Sequence, residues 1–206
     1  MVRELVRHMF PRSVPVDTMR ITYTFCLGGI AFTCLLVLAA TGLLLLFYYS
    51  PSPASAHGSI QFLESSVWGG AYLRSLHRMA SHALLLLLAL HTLRVIATGA
   101  FQAPRRFNWV VGCLLLFLCI FEAYTGYLLP MDQLAYWATQ TGMDLLKVLP
   151  LGGSIRQVLV PDSVGGPLSL LRFYALHVAI IPISVFTLSM IHFFVIRRQK
   201  GILPYL

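Results

Sequence analysis

Four histidines fall in two pairs inside long apolar segments, His77 with His91 and His177 with His192. The members of a pair are 14 and 15 residues apart, respectively. On a helix this is about four turns, so both imidazoles of a pair point to roughly one face, stacked about 21 Å apart at ~1.5 Å per residue. An imidazole is costly in hydrocarbon unless something uses it. A lone membrane histidine is most simply a hydrogen-bonded interior residue, but two pairs at matched spacing are not. Two helices that each offer two imidazoles make two sites at two depths. That is the ligand set for two haems, one near each membrane surface, each iron held by two histidines with no vacant position for oxygen. His8 and His57 read as surface residues in terminal or loop segments. His82, five residues after His77, points elsewhere on its helix.

The elements that must carry these histidines follow from composition. The chain has 206 residues, 58% of them hydrophobic and only 11% charged, where a soluble domain carries about a quarter charged. Four apolar runs reach the roughly 20 residues needed to cross a bilayer. They cover about 21–49, 71–97, 107–129 and 170–196. The bilayer forces such spans to be helical. The expected fold is all-α, an integral membrane four-helix bundle with two haems between helices two and four. The first span starts too late and runs too long for a cleavable signal peptide and reads as a retained helix.

The net charge of +8 reflects topology rather than nucleic-acid binding. Arg3, Arg7, Arg12 and Arg20 precede the first span, Arg105 and Arg106 lie between the second and third, and Arg197, Arg198 and Lys200 follow the fourth. The opposite loops carry Lys147, Arg156 and Arg172 against Glu64, Asp132, Asp144 and Asp162. The positive-inside rule then places both termini on the cytoplasmic side. With that topology the second and fourth spans run in the same direction. His77 must therefore meet His177 toward the outer face, and His91 must meet His192 toward the inner face.

Residues 1–20 read as a basic segment on the cytoplasmic surface. Pro51, Pro53 and Gly58 predict a short loop leading to Trp68, which with Tyr72 suits an interfacial aromatic belt. Gly99 and Pro104 mark a tight turn. Between spans three and four, Gln133–Leu146 and Ile155–Val160 read as short surface helices, separated by Pro150, Gly152 and Gly153. One domain, 1–206, is expected.

Secondary features agree with haem. Gly28 and Gly42 on the first span are 14 apart, as are Gly112 and Gly126 on the third. A missing Cβ at matching depths lets a flat ring approach the backbone, though ordinary close helix packing would use glycines in the same way. Arg74 and Arg78 flank His77, Arg94 follows His91, and Arg197 follows His192. Anionic haem propionates need such cations at the membrane boundary, though interfacial snorkelling also explains them. Cys26, Cys34, Cys113 and Cys119 lie in apolar spans without a CxxC or CxxCH pattern and read as small buried hydrophobes.

Several stretches resemble the cytochrome b family. Arg74-Ser-Leu-His77-Arg78 with His91-Thr-Leu-Arg94 is similar to that family's second helix. Gly126-Tyr-Leu-Leu-Pro130-Met-Asp132-Gln133 with Tyr136-Trp137-Ala138 resembles the stretch after its third helix. Arg172-Phe-Tyr-Ala-Leu-His177 and His192 resemble its fourth. The 15-residue spacing and short length resemble the split cytochrome b6 type, in which the remaining helices belong to a separate subunit. The resemblance implies two haem b groups and a place in a quinol-oxidising complex of the bc/b6f kind. Expected partners are quinol and quinone, the separate subunit, a Rieske iron–sulfur protein, and a cytochrome c or copper-protein acceptor, in a dimeric complex of an energy-transducing membrane. The chain would not act alone. Phe25-Cys26-Leu-Gly28-Gly29 also resembles the b6 segment whose cysteine bonds a third haem, of c type, through Cys26. Two departures stand out. Met131 replaces the family's usual tryptophan, and Glu122 places an ionisable group in the third span, suited to proton handling, to a haem-facing hydrogen bond, or to a locally paired protonated state.

Two other readings fit part of the pattern. One is a di-haem membrane anchor of a quinone-linked dehydrogenase or reductase without a Rieske partner. The other is a haem-free scaffold or assembly protein.

Overall fold

The computed structural model describes residues 25–198. The expectations for Arg3, Arg7, His8, Arg12, Arg20, Lys200 and the 1–20 surface segment lie outside those residues. Among the described residues the elements are all helical. In chain order they are α1 (Leu27–Leu45), α2 (Ala56–Ser66), α3 (Gly70–Ala97), α4 (Arg106–Leu128), α5 (Gln133–Leu146), α6 (Gly152–Leu159) and α7 (Pro167–Ala175). A π-helical turn (Leu176–Ile180) and α8 (Ile181–Arg198) complete the set. Four helices are long and apolar enough to cross a membrane: α1, α3, α4 and the continuous 167–198 helix. Phe117, Leu86 and Ile183 are more than 60% exposed, as expected of faces that meet lipid rather than protein. The chain is a multi-pass membrane protein.

The described residues form two compact units. One comprises 25–36, 81–119 and 183–198, the other 37–80 and 120–182. Each contains part of every span. In the first, Phe32 of α1 packs edge-on against Phe186 and Phe193 of α8, with ring centroids 6.3 and 5.0 Å apart. In the second, a cluster of Leu128, Met143, Val160, Val164 and Phe173 joins α4 and α7 to the α5–α6 segment. Met131 packs against this cluster, adopting φ +52 just after Pro130.

Local chemistry sets the helix ends in this second unit. The Asp132 carboxylate caps α5 by accepting from the Ala135 N–H at 2.8 Å. Asp162 does the same for the fourth span. Its carboxylate accepts from the N–H groups of Leu168 and Ser169 at 2.9 and 3.2 Å, and from the Ser169 hydroxyl. Pro167 occupies the first turn, where a missing N–H costs nothing. The Ser169 hydroxyl bond, then the neighbouring N–H groups, hold the Asp162 carboxyl down at about 2.

The surface helices appear as expected, α5 over Gln133–Leu146 and α6 starting three residues earlier than read, at Gly152. The predicted loop before Trp68 instead contains α2. Gly58 sits in that helix with nothing within 4 Å of where a Cβ would be, so it costs only helix propensity there. His57 is exposed but helical, and its Nδ1 lies 3.2 Å from the Pro130 carbonyl. The cysteines also differ from expectation. Cys119 is buried, whereas Cys26 and Cys113 are exposed and Cys34 is intermediate; exposure to lipid suits a thiol as well as burial does.

Candidate haem-binding site

His77 on α3 and His177 in the π turn face one another in one unit, with ring centroids 6.2 Å apart and planes at 75°. The tethers decide which nitrogens remain available. Thr41 of α1 donates its hydroxyl proton to the Val37 carbonyl at 2.7 Å, which leaves its oxygen to accept from His77 Nδ1–H at 2.8 Å. His177 Nδ1–H reaches the Glu122 carbonyl at 3.0 Å and Thr125 Oγ1 at 3.3 Å. The Thr125 hydroxyl itself donates to that carbonyl at 2.8 Å. Both Nδ1 atoms are thus engaged by protein, and both Nε2 atoms are left for a metal.

The centroid distance tests the fit to haem. A metal–imidazole bond is about 2.0 Å, and a ring nitrogen lies ~1.1 Å from its ring centre, so two rings gripping one iron from opposite sides sit about 6.2 Å apart. The observed spacing agrees. Among the described residues no group of three or more His, Cys, Asp or Glu gathers to hold a metal. Zinc takes three or four protein ligands, whereas haem brings four of its own nitrogens and needs only an axial pair. The donor set fits haem.

The other unit holds His91 and His192. The flanking glycines make room for all four histidines. A Cβ at Gly42 would lie 3.3 Å from His77 Cε1, one at Gly112 3.3 Å from His192 Cε1, and one at Gly28 3.3 Å from His91 Cε1. At Gly126 it would stand 2.9 Å from both Nδ1 and Nε2 of His177. Within the protein these glycines face imidazoles.

The unequal 14- and 15-residue spacings have a structural reason. At ~100° per residue, 14 residues fall about 40° short of four turns and 15 overshoot by about 60°. The π turn at Leu176–Ile180, closed by the Ile181 N–H to the Leu176 carbonyl, takes up one extra residue. Subtracting that residue's ~100° returns the 15-residue pair to the bearing of a regular 14-residue pair. Pro182 supplies the cause: it has no N–H, and its ring would collide with the carbonyl four residues back in a regular helix.

The arginines are arranged less uniformly. Arg74 pairs with Glu64 of α2. Arg78 and Arg197 are exposed, and Arg94 is intermediate and near His91. Thr41 and Thr125 were missed in the sequence. The signal was present, a Thr-Gly dipeptide at 41–42 and again at 125–126, on the two spans that flank the histidine pair.

Comparison with known proteins places the scaffold. The cytochrome b/b6/petB family model matches residues 13–200. The chain belongs to the cytochrome b/b6 family. It is 41% identical over 186 residues to cytochrome b6 of Heliomicrobium gestii, covering 90% of this chain and 87% of that one. It is 38% identical over 176 residues to cytochrome b6 of Chlamydomonas reinhardtii, covering 85% and 82%. A chain of a hyperthermophilic respiratory Complex III superposes with a TM-score of 0.83 at 27% identity. That match covers 98% of this chain but 54% of the larger one, so the chain spans about half the length of that structural relative. Membership of the cytochrome b/b6 family implies haem b.

Proposed function

We propose that this chain is the membrane electron carrier of a quinol oxidoreductase of the bc/b6f kind, holding two haem b groups through His77 with His177 and His91 with His192. The observation that carries the reading is the outer pair, two imidazoles at bis-axial separation with both Nδ1 atoms tied back to protein. A haem held in this way supplies one-electron transfer without an open coordination position. The residues of the chain do the rest. Thr41, Thr125 and the Glu122 carbonyl fix ring orientation and tautomer, the four glycines admit the rings, and the apolar spans exclude water. Arg78, Arg94 and Arg197 are assigned to the propionates, together with Arg74, which also pairs with Glu64.

Quinol oxidised at the outer face would release two protons there and give up two electrons. One goes to a Rieske iron–sulfur partner and on to a c-type cytochrome or copper protein, the other crosses through this chain. Two such crossings, with two protons taken up inside, reduce one quinone. Quinol oxidation requires a second membrane subunit carrying the remaining cytochrome b helices. The arginines before the first span, between the second and third and after the fourth support a topology with both termini on the cytoplasmic side, and the chain works as one b6-like domain. Cys26 is assigned a covalent haem c. Its thiol adds across a vinyl group, forming one C–S bond and passing its hydrogen to the neighbouring vinyl carbon. Its exposure, and its place two residues before the glycine that admits His91, support this.

The test is the His192→Leu variant. It should lose the inner haem and keep the outer one, leaving about half the b-type absorbance. Retention of both haems would overturn the ligand assignment.

A further inference from the structure

The third span carries a repeat that distinguishes the two histidine sites. Asn108 lies four residues before Gly112, and Glu122 four residues before Gly126. In each case the glycine admits a histidine ring, and at the second position the Glu122 main-chain carbonyl meets that ring's Nδ1. The sites differ beyond this point. At the inner level His192 Nδ1 has no hydrogen-bond partner, and neither has the buried Asn108 side-chain oxygen. No hydroxyl precedes the inner glycines, since Leu27 and Val111 hold those places. At the outer level His177 Nδ1 is surrounded by three oxygens: the Glu122 carbonyl, Thr125 Oγ1, and Glu122 Oε1 at 3.2 Å. The second carboxyl oxygen, Oε2, is buried with no hydrogen-bond partner. A half-satisfied carboxyl group in a membrane span is costly, and nothing in the packing of α4 demands one.

We propose that Glu122 is a positioning residue for His177, and that its carboxyl group beside Nδ1 strengthens His177 as an iron ligand and lowers the reduction potential of the outer haem. An acceptor oxygen at the far nitrogen of an axial imidazole raises its basicity, which favours the ferric state. The carboxyl presents such an oxygen at Oε1 in either protonation state. The neutral Asn108 amide does not reach His192 in this way, so the effect is confined to the outer site. This inference rests on the haem ligation proposed above.

The test is a potentiometric titration of the b haems in the purified complex for the parent, Glu122→Leu and Glu122→Gln. Leucine removes the oxygen, and glutamine keeps an acceptor of the same reach. In Glu122→Leu the outer haem should shift at least tenfold toward its reduced form at fixed potential, about 59 mV for one electron. Glu122→Gln should show a smaller shift of the same sign, and the inner haem should not move. An unchanged outer midpoint in Glu122→Leu, or an equal shift of both haems, overturns the proposal. If leucine expels the outer haem, Glu122→Ala, which also removes the oxygen, decides. An unchanged outer midpoint there, or loss of haem there too, would reduce Glu122 to a packing role. Absence of b haem from the parent would sink the ligation reading itself, whereas a full haem complement with unmoved potentials sinks only this inference.

Discussion

Gly126→Ala should expel or distort the outer haem, and the structure sets the size of the effect. The new Cβ would stand 2.9 Å from both nitrogens of His177. Cε1 of the same ring would be closer still, and comfortable contact begins near 3.5 Å, so the ring would have to retreat by well over about 0.6 Å. Nδ1 is bonded to the Glu122 carbonyl and Thr125, and Nε2 must keep its distance to iron, so neither end can yield. Overpacking of this kind costs about 1–3 kcal/mol, against only about 0.5–1 kcal/mol gained when alanine replaces a helical glycine. The balance is destabilising, and the strain falls on the metal ligand. At Gly28, Gly42 and Gly112 the closest ring atom would be 3.3 Å away. A few tenths of an ångström suffice there, and the two terms nearly cancel. Gly29, with nothing within 4 Å, should be unaffected or slightly stabilised. The assay is b haem per chain by pyridine haemochrome, with the temperature at which the low-spin spectrum is lost. A Gly126→Ala protein with a full outer haem and an unchanged spectrum would refute the reasoning, as would an equal loss in Gly29→Ala.

Deleting Ala179 should regularise the π turn, leave the last two histidines 14 apart and preserve haem content, whereas deleting Leu86 from the second span, which has no π turn, should lose it; equal outcomes in haem counts would remove the register argument. Denaturing-gel haem staining should detect covalent haem in the parent and none in Cys26→Ser; an unstained parent excludes the thioether. Asp162, with a native value of about 2 below its ordinary 3.8, stabilises the fold above pH 3.8 and loses that contribution as pH falls through about 2. Thermal melts of the parent and Asp162→Asn should therefore differ at pH 5 and converge near pH 2, and a gap that persists at pH 2 would show that the carboxylate is not the cause.

The histidine pairs were legible because bilayer-length apolar runs make any imidazole conspicuous, and their spacing suggested which rings would meet. The spans were legible for the same reason. What escaped depended on atoms that periodicity does not encode. The extra residue of the 177–192 spacing was visible, but Pro182 had to be linked to a π turn before the spacing made geometric sense. Helix α2 was hidden because Pro51, Pro53 and Gly58 all read as breakers, while only the prolines act so. Thr41 and Thr125 look like ordinary small polar residues until a ring nitrogen is seen 2.8 or 3.3 Å away. Arg74 could have been assigned to a propionate or to Glu64, and charge alone does not choose between two anions. Glu122 was conspicuous as a membrane carboxyl, yet its neighbour His177 is 55 residues away in the chain.

Counting haems in the purified protein tests the central claim most directly. Pyridine haemochrome and reduced-minus-oxidised spectra should give two low-spin b haems per chain that do not bind carbon monoxide. A protein with no haem b, or whose b haems are high-spin and take carbon monoxide, would contradict bis-histidine ligation by these four residues.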